Sequence, residues 1–124
     1  MRIAIRAAGI ALDAELAETA CARAIWEALP FEAQVSTWGD EIYFRIPVQE
    51  KPDATAAEVV SVGDLGYWPP GCAFCIFFGP TPASRGAEIR PASAVNIVGK
   101  VAGDAREFKK VPPGATIIVS KATG

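Results

Sequence analysis

Two cysteines in a Cys-x-x-Cys arrangement are the side chains of this sequence that most directly suggest chemistry. Cys72 and Cys75 have the spacing used for thiol redox reactions and for metal binding in other proteins. A redox pair of this type works because a helix N-terminus lowers the thiol pKa, whereas this pair lies in a predicted strand, where residues three apart point to opposite faces. A zinc site would need two further ligands, and Cys21 is the one thiol that remains. We therefore interpret the cysteines as packing residues and predict neither a metal nor a cofactor.

The composition excludes several classes of function. The chain has no histidine, which removes histidine-based metal sites and Ser-His-Asp or Cys-His catalysis. Its net charge is −2 and its densest basic cluster is Lys109-Lys110, so we predict no nucleic-acid partner. The odd number of cysteines, and an N-terminal apolar run interrupted by Arg2 and Arg6, favour a cytoplasmic protein without a signal peptide. No apolar stretch has the length of a transmembrane helix, so we predict no membrane partner.

An aromatic and proline-rich block is the first candidate for a binding surface. Tyr67 and Trp68 precede Pro69-Pro70 at the end of a predicted strand, and rigid rings of this kind can line a ligand groove. The alternative is a structural role, in which the prolines fix a turn and Trp68 packs on the end of the sheet.

A row of polar side chains on one predicted strand is the second candidate. Glu41, Tyr43 and Arg45 alternate with the apolar residues of 42–46, so they share the opposite strand face. A carboxylate and an arginine four residues apart could hold a polar ligand or could simply pair on a solvated sheet. If the apolar face fills the protein interior, this row faces outward.

A long loop supplies the remaining polar candidates. Residues 79–94 contain three prolines and show no periodicity, and loops of this length in small domains are often functional. Thr81, Ser84, Arg85 and Asn96 would border the same groove if the loop folds over it. Solvation of a flexible loop is the alternative.

The hydrophobic periodicity predicts about eight short strands and one helix. The helix has Thr19 as its N-cap, an apolar stripe at helical spacing, and an end at Pro30. Alternation and turn signals predict strands at 2–6, 12–16, 31–37, 42–48, 95–101 and 115–120, and a strand–elbow–strand unit over 63–82.

A closed barrel is the economical way to arrange these elements. We predict a hairpin between 31–37 and 42–48 with its bend at Gly39-Asp40, a surface loop over 49–57, and a basic connector over 108–114. The fold class is therefore mainly β, a closed barrel of about eight strands with one capping helix, in a single domain over 1–124.

Three segments resemble a small prokaryotic cyclophilin-like family of unassigned function. They are residues 38–44 (WGDEIYF), 62–71 (VGDLGYWPPG) and 76–82 (IFFGPTP). The resemblance implies a closed cyclophilin-like barrel of about eight strands with helical caps. It also implies that a binding groove would lie on the outer wall of the barrel.

A looser likeness to true cyclophilins covers two segments. Residues 71–78 look like the Gly-Ser-Gln-Phe-Phe strand of a prolyl isomerase, and 95–101 resemble its Val-Phe-Gly-Lys-Val strand. The isomerase signature has no counterpart around 38–48, the pocket histidine is absent, and the pocket phenylalanine falls near Phe74 or Cys75. The resemblance thus implies the barrel and does not carry over isomerase activity.

The leading functional hypothesis is a domain that binds a small molecule or a peptide in a groove on the barrel. A prolyl isomerase or another enzyme on the same barrel is one alternative, and a structural role as a homo-oligomer or partner-binding domain is another. The candidate groove residues are Trp38, Glu41, Tyr43, Arg45, Tyr67, Trp68, Phe74, Thr81 and Asn96.

Overall fold

Nine antiparallel strands form a nearly closed barrel in the computed structural model, which describes residues 1–122. The strand order around the sheet is β3-β9-β1-β2-β8-β6-β7-β5-β4. None of the helices in residues 1–122 has the length and apolar character needed to cross a membrane. The elements are β1 (Arg2–Ala7), β2 (Ile10–Leu16), α1 (Ala20–Ala28), β3 (Phe31–Gln34), β4 (Ser36–Thr37), β5 (Glu41–Arg45), β6 (Asp64–Trp68), β7 (Ala73–Phe77), β8 (Asn96–Val101) and β9 (Thr116–Lys121).

The single α-helix begins and ends where the sequence predicts. The Thr19 hydroxyl accepts a hydrogen bond from the amide of Ala22 at 3.1 Å, as an N-cap should. The helix buries Ala22 and Ile25 and lies against β2 and β8, so it covers part of the barrel as predicted.

The segment 31–37 differs from the prediction and closes the barrel. We predicted one strand that pairs with 42–48, but the segment is divided at Val35. Its first part, β3, pairs with β9, and its second part, β4, pairs with β5. Val35 is buried and its backbone bonds to Gly114 and Ala115. The two edge strands of the sheet, β3 and β4, therefore follow each other in the chain. The alternation of polar and apolar residues cannot predict this, because the alternation is the same whichever strand is the pairing partner.

Two further boundaries differ from the sequence prediction. The strand predicted over 42–48 is β5 and ends at Arg45, after which the amide of Ile46 donates to the Cys72 carbonyl. Part of the predicted connector over 108–114 belongs to a 3₁₀ helix, Ala105–Lys110. Asp104 caps this helix by accepting a hydrogen bond from the amide of Arg106 at 3.0 Å. Such short helices carry too few residues for a periodic signal.

Two apolar clusters lie on opposite faces of the sheet. The inner core fills the barrel and includes Phe44, Phe74 and Ile76. The outer core lies on the outer wall and consists of Val60, Ala73, Cys75, Phe77, Ile89 and Val95. Successive residues of β7 alternate between the two clusters, and all five are buried, which explains why this strand is a continuous apolar run.

Two segments of the chain cover the outer core. Residues 57–60 and 89–95, which we call the covering segments, bridge to each other in antiparallel orientation. The amides of Ala57 and Val95 each donate to the other residue's carbonyl at 2.9 and 3.1 Å, and the amide of Val60 donates to the carbonyl of Ile89 at 2.9 Å. The loop over 79–94 therefore has a fixed end that lies on the sheet.

Candidate binding pocket

A pocket of about 290 Å³ lies on the outer wall of the barrel between the sheet and the second covering segment. We call it the outer-wall pocket. Its floor comes from β5 and β7, and its walls come from the turn before β5, the end of β6 and residues 91–95. The lining residues are Trp38, Glu41, Tyr43, Trp68, Cys75, Pro91, Ala92 and Val95.

Strand register places the floor of the pocket. Tyr43 on β5 and Gly66 on β6 are both direct neighbours of Cys75 on β7, so the three residues form one outward-facing row. A Cβ atom on Gly66 would lie 2.8 Å from Cγ2 of Val95. The absence of a side chain at Gly66 thus allows Val95 to approach the sheet and close one side of the pocket.

Trp68 forms a wall that is held from both sides. Its indole Nε1 donates a hydrogen bond to the hydroxyl of Ser93, at 2.7 Å, on the second covering segment. Its ring packs over the 3₁₀ turn Pro69–Gly71, where a Cβ atom on Gly71 would lie 2.8 Å from the ring. The Pro-Pro-Gly sequence therefore fixes the position of the tryptophan.

The turn between β4 and β5 positions Trp38 and Glu41. The amide of Trp38 donates to the carbonyl of Glu41 at 3.0 Å, and Gly39 has a left-handed φ of +61°. Pro80 packs against this turn, since a Cβ atom on Gly39 would lie 2.9 Å from the Pro80 carbonyl oxygen. The turn therefore cannot tilt away from the pocket without displacing the following loop.

Glu41 is the only ionisable carboxyl group among the residues that line the pocket, and one of its two oxygen atoms is buried without a hydrogen-bond partner. Its side chain faces outward from β5 as predicted, but it is only 5% exposed because the turn and the covering segment enclose it. Its Oε1 atom has no hydrogen-bond partner in residues 1–122. Loss of hydration raises the pKa of Glu41 to about 7, and the nearby thiol of Cys75 offsets only part of this effect.

Cys75 contributes a neutral thiol to the same pocket. Burial, and secondly the charge of Glu41, raise the pKa of this thiol well above its ordinary value. The Cys75 Sγ atom lies 3.9 Å from the carbonyl oxygen of Ala73. A buried thiol without a nearby cation is a weak nucleophile, so the group acts here as part of the pocket surface.

The two cysteines of the Cys-x-x-Cys pair lie in different environments. Cys72 precedes β7 in a left-handed conformation, with φ of 48°, and packs against the inner core. Cys75 belongs to the outer core. The interpretation as packing residues is therefore incomplete for Cys75, which also lines a cavity that the sequence alone does not show.

Four of the predicted groove residues meet around the pocket. They are Trp38, Glu41, Tyr43 and Trp68. Arg45, which shares a strand face with Glu41, is exposed and lies beside Cys72 and Gln49 instead. The strand carries the arginine past the end of the pocket, so Arg45, a candidate groove residue, does not line the cavity that Glu41 lines.

Tyr67 and Phe74 belong to the interior of the barrel and not to the groove. Phe74 is fully buried and its ring centroid lies 5.5 Å from that of Phe44. The Tyr67 hydroxyl donates to the Val48 carbonyl at 2.6 Å and accepts from the amide of Glu50 at 3.1 Å. The prediction of both as groove residues is therefore corrected: the register places them opposite each other on the inward face, where they fill the barrel.

Asn96 and Thr81 hold loops in place without lining the pocket. The Asn96 side chain is fully buried; its amide group donates to the carbonyl of Lys51 and its oxygen accepts from the amide of Asp53, both at 2.9 Å. The Thr81 hydroxyl donates to the carbonyl of Arg90, the residue before Pro91. Thr81 thus positions one wall of the pocket from a distance.

Ser84 and Arg85, the other two loop residues considered above, are also outside the pocket. The Ser84 hydroxyl accepts from the amides of Thr81 and Arg90, so it stabilises the loop internally. The Arg85 side chain is exposed, and its amide donates to Glu88. Pro91, Ala92 and Val95 line the pocket instead. The length and proline content of the loop over 79–94 indicate a functional role for the first two, whereas Val95 is predicted only as the start of a strand.

The comparisons with known proteins agree with this barrel. The family model described as Cyclophilin-like matches residues 1–120, and the chain belongs to this cyclophilin-like family. The structure is similar to the solution structure of a hypothetical protein from Archaeoglobus fulgidus, with a TM-score of 0.84. The two chains share 41% sequence identity over 98% of this chain and 95% of the archaeal one. No curated protein matches the chain. The family resemblance and the fold class predicted from the sequence are confirmed.

Proposed function

We propose that this protein binds a small, largely apolar molecule in the outer-wall pocket. The observation that carries the proposal is the lining: three aromatic side chains, two of them tryptophans, surround a cavity that holds one buried carboxyl group. Ligand pockets typically combine an apolar surface with a few polar groups that orient the ligand. Trp38, Tyr43 and Trp68 would supply the apolar contact, and Glu41 would supply the orienting group.

The size of the pocket suits a small ligand. An apolar cavity of roughly 150 Å³ accommodates benzene, and drug-sized ligands occupy upwards of roughly 300 Å³. The pocket volume of about 290 Å³ lies between these sizes, so a single aromatic or aliphatic ring with a short polar substituent fits in it. A peptide could insert only one side chain, so the volume favours a small molecule over a peptide.

The walls are fixed by hydrogen bonds before any ligand arrives. Trp68 is tied to Ser93, and Val95 is tied to Ala57 by two backbone hydrogen bonds. A preformed site loses less conformational entropy on binding than a site that must be ordered by its ligand. The proposal therefore requires no rearrangement of the barrel.

Titration with benzyl alcohol, followed by ¹H–¹⁵N NMR, tests the proposal. We expect saturable shifts of the indole N–H signals of Trp38 and Trp68 and of the amides of Cys75 and Val95. Trp26 is an internal reference, because it lies on α1 beneath the Lys121 ammonium group and away from the pocket. Its indole signal should not move.

A matched pair of variants locates the binding site. Ala92 is exposed at the lip of the pocket, whereas Ala87 is exposed in the same loop and does not line the pocket. We expect Ala92→Trp to abolish the shifts and Ala87→Trp to leave them unchanged. Absence of saturable shifts in the unmodified protein, or equal binding by Ala92→Trp, would contradict the proposed function.

Prolyl isomerase activity is the alternative function, and the sequence of this chain does not favour it. The isomerase signature has no counterpart around 38–48, and the chain has no histidine, so we propose binding without isomerisation. A protease-coupled assay on a proline-containing peptide should give the uncatalysed rate. A rate above that background, lost in Ala92→Trp, would favour the enzyme alternative.

A further inference from the structure

The carboxyl group of Glu41 is the least satisfied polar group in the described part of the chain. It is 95% buried, and its Oε1 atom is the only buried side-chain nitrogen or oxygen within residues 1–122 that lacks a hydrogen-bond partner. A buried polar atom without a partner costs free energy, and native proteins retain few of them. Glu41 lines the pocket, so a ligand there can donate a hydrogen bond to its carboxyl group.

The surroundings of this carboxyl group favour a positive charge. Trp38, Tyr43 and Trp68 place three aromatic side chains around the same cavity, and the faces of such rings attract cations. No lysine or arginine lines the pocket, so the carboxylate is not already neutralised by the protein. An anionic ligand would meet the negative carboxylate without a compensating cation.

The titratable groups that face Glu41 do not change this balance. Cys75 on β7 contributes a thiol that stays protonated because it is buried, and Tyr43 on β5 contributes a phenol. The other lining residues, from the turn before β5, the end of β6 and the second covering segment, are Trp38, Trp68, Pro91, Ala92 and Val95, which carry no charge. Glu41 is therefore the only group in the pocket that carries charge near neutral pH.

We propose that the outer-wall pocket selects small organic cations, with a protonated amine that donates a hydrogen bond to the Glu41 carboxylate and an apolar or aromatic body against Trp38, Tyr43 and Trp68. This inference rests on the proposed function and adds the chemical class of the ligand. A hydrogen bond to a charged partner is stronger than a neutral one, and the aromatic rings add a cation–π contribution.

Three probes of nearly the same shape separate the effect of ligand charge from the effect of ligand shape. Benzylamine is a cation near pH 8, benzyl alcohol is neutral and benzoate is an anion. We expect benzylamine to bind at least about tenfold more tightly than benzyl alcohol, and benzoate to bind most weakly. The NMR titration described above measures all three affinities.

Glu41→Gln tests the role of the carboxylate with little change of shape. We expect this variant to lose the preference for benzylamine over benzyl alcohol, because a neutral amide offers no negative charge to the ammonium group. Glu58→Gln is the matched control, because Glu58 is exposed on the first covering segment and does not line the pocket. It should retain the full preference.

A pH series on the unmodified protein supplies a second test, which does not depend on whether a variant folds. Benzylamine remains a cation at pH 5.5, whereas Glu41, with its pKa raised to about 7, takes up a proton. We expect the preference for benzylamine over benzyl alcohol to shrink about tenfold between pH 8 and pH 5.5. Calorimetry at pH 7 in two buffers should show proton release on binding benzylamine and none on binding benzyl alcohol.

The outcomes distinguish this inference from the proposed function. Binding of benzyl alcohol with no preference for benzylamine would overturn the cation selectivity and leave the binding function intact. A preference that persists in Glu41→Gln, or that does not depend on pH, would overturn the role of Glu41. Failure of all three probes to bind would contradict the proposed function itself.

Discussion

The inner and outer cores of this barrel share strand β7 but differ in how completely they are packed and hydrogen-bonded. In the inner core, Phe74 is fully buried against Phe44, and the hydroxyl of Tyr67 has both a donor and an acceptor as partners. On the outer face, the residues around Cys75 enclose a cavity, and the Oε1 atom of Glu41 is buried without a hydrogen-bond partner. The inner core is complete without a ligand, whereas the outer core is not.

The inward-facing residues of β7 therefore relate mainly to stability, whereas its outward-facing residues relate to the proposed binding function. A packed and hydrogen-bonded interior stabilises the folded state, whereas an unfilled pocket and a buried carboxyl oxygen without a partner destabilise it. Proteins retain such groups mainly where function requires them. Substitutions on the two faces of β7 should therefore have very different effects.

Truncation of neighbouring residues on β7 should give the largest contrast in stability. Phe74→Ala removes a fully buried ring from the inner core and should reduce the free energy of unfolding by about 3–5 kcal/mol. Cys75→Ala removes one sulfur atom beside an existing cavity and should cost about 1 kcal/mol or less. Urea denaturation of both variants measures the difference. Equal losses would show that the two clusters form one core.

Glu41 should make the stability of the protein depend on pH. Its pKa is raised from 4.5 to about 7 on folding, so the folded state binds more protons than the unfolded state between these values. The contribution of Glu41 to the free energy of unfolding should therefore be fully present below about pH 4.5. This contribution should fall by roughly 3 kcal/mol as the pH rises from there through 7.

Urea denaturation at several pH values measures this effect, with Glu41→Gln as the reference. The glutamine variant lacks the titrating group, so the difference between the two proteins isolates its contribution. We expect the unmodified protein to lose stability relative to the variant between pH 5 and pH 8. Parallel curves for the two proteins would mean that Glu41 is hydrated in the folded state.

Gly71→Ala should disturb the outer core without reaching the inner one. The added Cβ atom would lie 2.8 Å from the Trp68 ring, so the ring must move, at a cost of about 1–2 kcal/mol. Binding of benzyl alcohol should weaken in parallel. Gly86→Ala is the matched control, since its Cβ atom would meet only Glu88, at 3.6 Å. Unchanged binding by Gly71→Ala would argue that Trp68 is not a wall of the site.

Ser93→Ala should give the smallest effect. It removes the acceptor for the Trp68 indole at a partly solvated position, which should cost about 0.5–1 kcal/mol in stability and weaken benzyl alcohol binding about two- to threefold. Ser61→Ala serves as the control, because Ser61 is exposed and does not line the pocket. Chemical shifts of the Trp68 indole report the change directly, and an unmoved signal would contradict the structural role of this hydrogen bond.

The sequence predicts local structure well where one residue determines the backbone. Thr19 predicts the start of α1, Gly39 predicts the bend before β5, and Pro69-Pro70 predicts the elbow between β6 and β7. Each of these residues acts within its own turn of chain, through a hydrogen bond or a restricted φ angle. The three family-like segments then identify the barrel as a whole.

The pocket could be predicted only in part, because its walls come from distant parts of the chain. The alternation of 41–45 determines that Glu41 and Tyr43 face outward, but it does not determine what covers them. Only the tertiary structure brings Pro91 and Glu41 to the same pocket, and only it shows that Glu41 is buried while Arg45 is exposed. A strand's own residues fix the direction of each side chain, whereas burial and pKa depend on contacts that the fold alone creates.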